Sequence, residues 1–483
     1  MSTRTPRDLT QGPIGRNLLL FSLPILGGNI AQSLNGSVNA VWIGRHLGED
    51  ALTAAANANN IMFFLLGSMF GLGMAASILI AQAMGARDTD QARRTMGSSA
   101  TFFIGLSVLI AIGGWWLARH LLAWMGTPAP SLPLAEAYLR VIFLAMPALY
   151  AFAFLAAALR GAGDSRTPFR FLLVAVLLDI AFNPLLIFGI GPFPKLGIAG
   201  SAWATLLSQT LALAALLLHL RHKRHVLWLG RKDAALLLPQ PRIVQALVLK
   251  GVPMGLQMML ISLAMIMMMS MVNAYGTDTA AAYGASMQLW TYVQMPAMAI
   301  GAACSTMAAQ NVGARLWSRV QATTRYGVVF NFLLTGALIA PIIALDRWTL
   351  ALFLPGASAA LDIARHLNHI AVWSFLFFGV NFVVSGVVRS TGAVMVPLLI
   401  LALTLWGVRI PFANLLQPVL GADAIWWSFP VSALLAMLLS LAYYRWGRWR
   451  RAHMLPADAP VGASPAEVPA TPPSPVADPD PER

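Results

Sequence analysis

Twelve apolar runs separated by short polar breaks constrain this chain more than any other feature. They lie near 17–44, 52–84, 97–118, 134–159, 169–189, 198–220, 249–275, 279–309, 326–345, 363–388, 394–418 and 424–446. A hydrocarbon core about 30 Å thick is crossed by roughly 20 helical residues at about 1.5 Å each, and all twelve runs are of that order. Within lipid a helix satisfies its own backbone, so runs of this length read as spanning helices. Mean hydropathy of +0.70, with 58% hydrophobic and 10% charged residues, leaves too little polar surface for a soluble domain. The expected fold class is an all-α polytopic membrane protein.

Net charge of +14 would suit nucleic acid, but the basic residues sit in the breaks between spans. Numbering the breaks alternately puts 24 Lys and Arg on the side of the termini and five (Arg45, Arg119, Lys195, Arg347 and Arg365) on the other. Topology therefore accounts for the charge, with no nucleic-acid partner, and the positive-inside rule puts both termini in the cytoplasm. Residues 1–16 form a polar cytoplasmic segment with no cleavable-signal pattern. The lone Cys304 makes no intrachain disulfide and reads as an inert buried thiol. After Met454 the tail carries nine prolines and few apolar residues, so 447–483 is expected to be a disordered cytoplasmic tail.

The chain also repeats itself. Gln82, Gly85, Ala86 and Arg87 return as Gln310, Gly313, Ala314 and Arg315, and Arg160, Gly163 and Pro168 as Arg389, Gly392 and Pro397. Pro24 maps to Pro253, Gly48 to Gly276 and Asp50 to Asp278, all at an offset of 228 or 229. One register held over separate regions indicates duplication. Each unit has six spans, an even number, so the units are related by a pseudo-two-fold axis along the membrane normal. This divides the chain into an N-lobe (17–220), a basic cytoplasmic connector (221–248) and a C-lobe (249–446), two six-helix lobes around a midplane cavity as alternating access requires.

Within the fifth run, Asp179 and Asn183 are one helical turn apart on one face. Counted from Pro168, Asp179 lies about 16 Å deep, near mid-membrane. A carboxylate there is costly unless paired, coordinated or protonated, so it marks either a functional site or a structural hydrogen bond to a neighbouring helix. No paired acids, Ser–base pair, P-loop, HExxH or metal-ligand cluster is visible, so no catalytic residue, metal site or cofactor is expected.

The same residues carry a family resemblance. A-Q-A-M-G-A-R-D at 81–88, A-L-R-G-A-G-D-S-R-T-P at 158–168, N-P-L-L-I-F-G at 183–189 and A-Q-N-V-G-A-R at 309–315 resemble the multidrug and toxic compound extrusion (MATE) family. The nearest branch is the prokaryotic one related to DNA-damage-inducible protein F. The resemblance implies a bacterial inner-membrane transporter that exports cationic amphipathic drugs or toxins in exchange for H+ or Na+. It also implies a cation site in the N-lobe. Two departures matter: the first span usually has an Asp where this chain has Asn39, and many relatives place Asn before Asp where this chain has Asp179 before Asn183. Asn39, Asp179, Asn183 and Thr205 are the candidate cation-binding residues, with Asn39 alternatively only interhelical glue. Oxygen ligands suit sodium, while a lone desolvated acid suits protonation, so both ions stay open.

The second lobe has no matching carboxylate, since Asn39, Asp179 and Asn183 map to Met268, Val408 and Phe412. Its seventh span is rich in methionine from Met258, and Met258, Met265 and Met268 offer either a deformable cavity surface or ordinary packing. Trp290 and Gln294 are further cavity candidates. Arg409 either lines the cavity or bonds carbonyls loosened by Pro411. Gly163 and Gly392 are candidate hinges, or simple turn residues. The alternative function is a flippase for lipids or lipid-linked oligosaccharides. Partners are the bilayer and small molecules, with the protein a monomer.

Overall fold

A computed structural model of the protein describes residues 8–351, 353–354 and 358–455, leaving aside the side chains at 63, 66, 68 and 231. Every spanning run forms helix. The N-lobe holds α1 (Ile14–Leu47), α2 (Glu49–Gly85), α3 (Thr89–Trp124), α4 (Leu132–Gly161), α5 (Arg166–Phe188) and α6 (Ile198–His222). The C-lobe holds α7 (Pro241–Asn273), α8 (Thr277–Gly313), α9 (Trp317–Ala344), the short α10 (Asp346–Ala351), α11 (Ala359–Ala371), α12 (Ser374–Arg389), α13 (Met395–Ala402), α14 (Ile410–Leu420) and α15 (Asp423–Trp446). Taking α11 with α12, and α13 with α14, as single broken spans gives two sets of six. Among the described residues nine spans are long and apolar enough to cross a membrane on composition alone, and the α11–α12 pair makes a tenth. The central helix α8 falls short because it carries Gln294, Thr306, Gln310 and Asn311, and most of it is buried in protein.

Two spans expected to be continuous are interrupted. Between α11 and α12 the chain bends by 44°. Between α13 and α14, Leu403–Arg409 widens into a π turn. Pro411 has no N–H for the Gly407 carbonyl and its ring crowds that turn, so the wider turn relieves the clash.

The duplication is written in the backbone angles. Gly48 and Gly276 enter α2 and α8 at φ 87° and 95°, and Gly163 and Gly392 follow α4 and α12 at 92° and 98°. Arg87 and Arg315 both adopt φ 59° at the ends of α2 and α8, where few residues other than glycine go. Each closes a Schellman cap. The Arg87 and Asp88 N–H groups bond the Met84 and Ala83 carbonyls, as those of Arg315 and Leu316 bond Val312 and Asn311. The turn at Gly163 closes likewise, with Gly163 and Asp164 bonding Arg160 and Leu159. Gly392 repeats the positive φ of Gly163, with its N–H bonded to the Arg389 carbonyl.

The lobes meet at the basal end, where the described chain begins at residue 8 and stops at residue 455. There α2 and α8 cross so closely that a Cβ on Gly85 would overlap the Gln310 backbone, and one on Gly313 would overlap that of Gln82. The two glutamines reach across in matching fashion: Gln82 Nε2 donates to the Ser390 carbonyl at 2.6 Å and Gln310 Nε2 to the Gly161 carbonyl at 2.9 Å. Each therefore caps a helix of the opposite lobe. A second close approach brings Gly71 of α2 against Gly251 and Gly255 of α7.

Three polar or basic segments, of which only the tail is expected to be disordered, are docked. Leu9 is fully buried, and its N–H donates to Gln310 Oε1 at 3.1 Å, which ties the N-terminal segment to the C-lobe. The connector is shorter than expected, because α7 starts at Pro241, and it lies on α3. Arg93 pairs with Asp233 at 2.6 Å, and Thr101 donates to the Leu237 carbonyl at 2.6 Å. The tail does not become free at 447: Trp449 is buried between Trp317 and Tyr444, its carbonyl accepts from Thr391, and Met454 is buried too. An aromatic ring at that position supplies the apolar anchor that the proline-rich remainder lacks. Residues 456–483 lie outside the described residues.

Gly85→Ala should lower the melting temperature of the purified protein, since overpacking against backbone costs on the order of 1–3 kcal/mol. Gly105→Ala, where a Cβ meets nothing within 4 Å, should leave it unchanged or slightly raised. Equal melting temperatures in the two variants would contradict the close crossing.

Candidate functional site

Asp179 lies on α5, with 2% of its surface exposed, facing α1 and α6. Its Oδ2 accepts from Asn35 Nδ2 and Asn39 Nδ2, both at 2.9 Å. Oδ1 accepts from Thr205 Oγ1 at 3.1 Å and is approached by Ser208 Oγ at 3.5 Å. Asn183, fully buried one turn on, donates to Asn39 Oδ1 at 3.0 Å and to the Asp179 carbonyl at 2.9 Å. The structure therefore brings Asn39, Asp179, Asn183 and Thr205 into one cluster.

It also adds two residues that sequence reasoning missed. Asn35 precedes Asn39 by one turn, and Ser208 follows Thr205 by one turn. The one-face spacing that marks Asp179 and Asn183 would have found both.

The electrostatics of the cluster are unusual for a membrane interior. No cation pairs with Asp179 among the described residues, so neutral donors alone compensate the carboxylate. Two amide oxygens, Asn35 Oδ1 and Asn183 Oδ1, are buried with no hydrogen-bond partner. Unpaired buried acceptors are costly, and an oxygen-seeking cation relieves that cost. The hydroxyls also have alternatives, since Thr205 Oγ1 lies 3.3 Å from the Ser201 carbonyl and Ser208 Oγ 3.1 Å from the Thr205 carbonyl. Among the described residues no group of three or more His, Cys, Asp or Glu has metal-binding geometry.

The C-lobe candidates divide. Met258, Met265 and Gln294 are half-buried, and Met258 faces Gly67 of α2 across the lobe boundary. Met268 and Trp290 do not line a cavity: they are 0% and 2% exposed within the C-lobe core. The reason for Trp290 is polar as well as apolar. Its Nε1 donates to Asn368 Oδ1 at 2.8 Å, and Asn368 in turn bonds Ser286, a network that fixes the ring inside the lobe. Arg409 points inward rather than to lipid. Its Nε donates to Ser432 at 2.8 Å and its guanidinium lies over the Phe429 ring, 4.5 Å from the centroid.

This is the architecture of a polytopic helical membrane protein built from two like halves, with a buried acid, Asp179, within a span of the first. A family model described as MatE matches residues 24–185 and again 253–415, one match per lobe. The chain is 36% identical over 434 residues to the probable multidrug resistance protein YoeA of Bacillus subtilis (strain 168), covering 89% of this chain and 94% of that protein. The probable multidrug resistance protein YpnP of the same organism is 34% identical over 446 residues, covering 92% and 97%. A solved outward-facing structure of a multidrug resistance MATE family transporter superposes with a TM-score of 0.84 at 20% identity, covering 92% of this chain and 98% of that one. The chain belongs to the MatE family, and its twelve-helix, two-lobe fold is the one its structural relatives share.

Asn39→Asp should change the cluster measurably. Two carboxylates within reach of one amide repel, so the variant should take up an additional proton or sodium ion. In thermal melts at fixed ionic strength, replacing choline chloride by sodium chloride or lowering the pH should stabilise this variant more than the parent. Identical responses would place Asn39 outside the ion-responsive group.

Proposed function

We propose that the protein is a secondary active multidrug efflux transporter that exports cationic amphipathic organic compounds by antiport with H+ or Na+. The observation that carries this reading is Asp179: a buried carboxylate within a span, held by Asn35, Asn39 and Thr205, with no cationic partner among the described residues and with two unpartnered amide oxygens beside it. A monovalent cation neutralises such a site, and its departure leaves a charge that is costly until the next one arrives. The multidrug names of its relatives support the substrate side. The basal contacts between lobes support a cycle in which that end is closed while the other is open. By the bias of Lys and Arg the basal end is cytoplasmic, in a bacterial inner membrane, and one chain suffices for transport.

In this mechanism Asp179 exchanges the coupling ion, Asn35, Asn39 and Thr205 orient its oxygens, and Asn183 holds Asn39 in place. Met258, Met265 and Gln294 contribute to the drug path. Opening the basal end breaks the Gln82–Ser390 and Gln310–Gly161 bonds, which reform at each turnover.

The test uses the full chain in proteoliposomes. Adding a cationic dye should dissipate an imposed pH gradient, or a sodium gradient, and the one that responds identifies the coupling ion. Asp179→Asn, matched for amount and for thermal stability, should lose at least about 90% of gradient-driven dye transport while remaining folded. Wild-type transport by that variant would reduce Asp179 to a structural residue.

A further inference from the structure

The two lobes hold opposite charges at matching places. Gly197, just before α6, and Gly421, which ends α14 two residues before α15, have the same backbone angles, φ/ψ 57°/−133° and 59°/−134°. Counted from them, Ser208 corresponds to Ser432 and Thr205 to Phe429. The correspondence holds in detail: Ser208 Oγ bonds the Thr205 carbonyl and Ser432 Oγ the Phe429 carbonyl, both at 3.1 Å. On the preceding span, Asp179 is eleven residues after Pro168, and Arg409 is twelve after Pro397 with a π turn between. A π turn absorbs one extra residue, so Arg409 takes the place of Asp179. In the N-lobe a carboxylate meets Ser208 and Thr205; in the C-lobe a guanidinium meets Ser432 and the face of Phe429.

Arg409 has no carboxylate partner among the described residues, and its two terminal nitrogens make no hydrogen bond there. The ring of Tyr283 lies 6.4 Å from that of Phe429, over which the guanidinium sits. Its hydroxyl is buried and unpartnered, as is Nε1 of Trp406 in the same π turn as Arg409. Unsatisfied donors around a guanidinium in low dielectric lack one thing, an anion that accepts from them.

We propose that the C-lobe site at Arg409 binds the oxoanion group, carboxylate or phosphate, of the transported molecule. Its substrates then include zwitterionic amphipaths as well as plain cations. The proposal rests on the transport reading for its setting, but the site is tested by binding alone, with no gradient, so failure of ion coupling leaves the outcome legible.

Rhodamine 110 and its methyl ester, rhodamine 123, differ only in the free carboxylate, and fluorescence polarisation with the full chain in nanodiscs measures both. The parent should bind the free acid about tenfold more tightly than the ester. Arg409→Gln should erase that preference, Arg409→Lys should keep part of it, and inorganic phosphate should displace the acid more readily than the ester at constant ionic strength. No preference in the parent overturns the proposal, as does equal loss of both dyes in a folded Arg409→Gln. Phosphate binding that leaves both dyes untouched assigns the site to a free inorganic anion and overturns it too. If Arg409→Gln does not fold, the parent's preference, the phosphate competition and Arg409→Lys decide.

Discussion

Everything in this molecule is placed relative to the crossing of α2 and α8. At that point two copies of one motif face each other, and Gly85 and Gly313 each lie against the backbone of the glutamine in the other copy. Helices in lipid gain no hydrophobic energy from meeting, so association relies on close packing and on polar groups that find partners. Here both are present twice, since Gln82 and Gln310 each cap the open carbonyls of a helix in the opposite lobe. A carbonyl at the end of a helix is an acceptor in search of a donor, so the contact is specific to helix ends. It is also easily exchanged for water, which suits an interface that must open.

Around that fixed crossing, duplication preserves the backbone and releases the side chains. Positive φ recurs at Gly48 and Gly276, Arg87 and Arg315, Gly163 and Gly392, and Gly197 and Gly421, because each turn permits few alternatives. Nothing comparable constrains what projects into the lobes. Thr205 and Phe429 occupy one position in the two copies, and the charge opposite each is the one that its partner can hold: a hydroxyl donates to a carboxylate, and a ring face attracts a guanidinium.

What was legible in the sequence follows the same division. The spans and the duplication were readable because hydropathy and register depend on local sequence. So did the one-turn spacing of Asp179 and Asn183, and Asn35 obeyed the same rule unnoticed. The fate of Trp290 and Met268 was not readable, because a tryptophan that donates to Asn368 inside a lobe and one that lines a cavity have the same neighbours in sequence. The docking of the connector on α3, and of Trp449 on Trp317, depends on contacts between residues more than a hundred apart. The π turn was foreshadowed by Pro411, but its consequence, a one-residue shift that carries Arg409 to the place of Asp179, appears only when the two lobes are compared in space.

The opposite charges also bear on how two lobes of one ancestry remain distinct in work. An ionised group in low dielectric is tolerable only with compensation, and the two lobes use different kinds. Asp179 is surrounded by neutral donors, which lower the cost of its charge without cancelling it. Arg409 is satisfied on one nitrogen and on one ring face only, which leaves its remaining donors directed at whatever enters. A lone acid and a lone guanidinium in separate lobes do not neutralise each other when each is screened by its own neighbours. They do give the two lobes opposite polarity, so a molecule with separated charges that met both groups would be favoured in one orientation only.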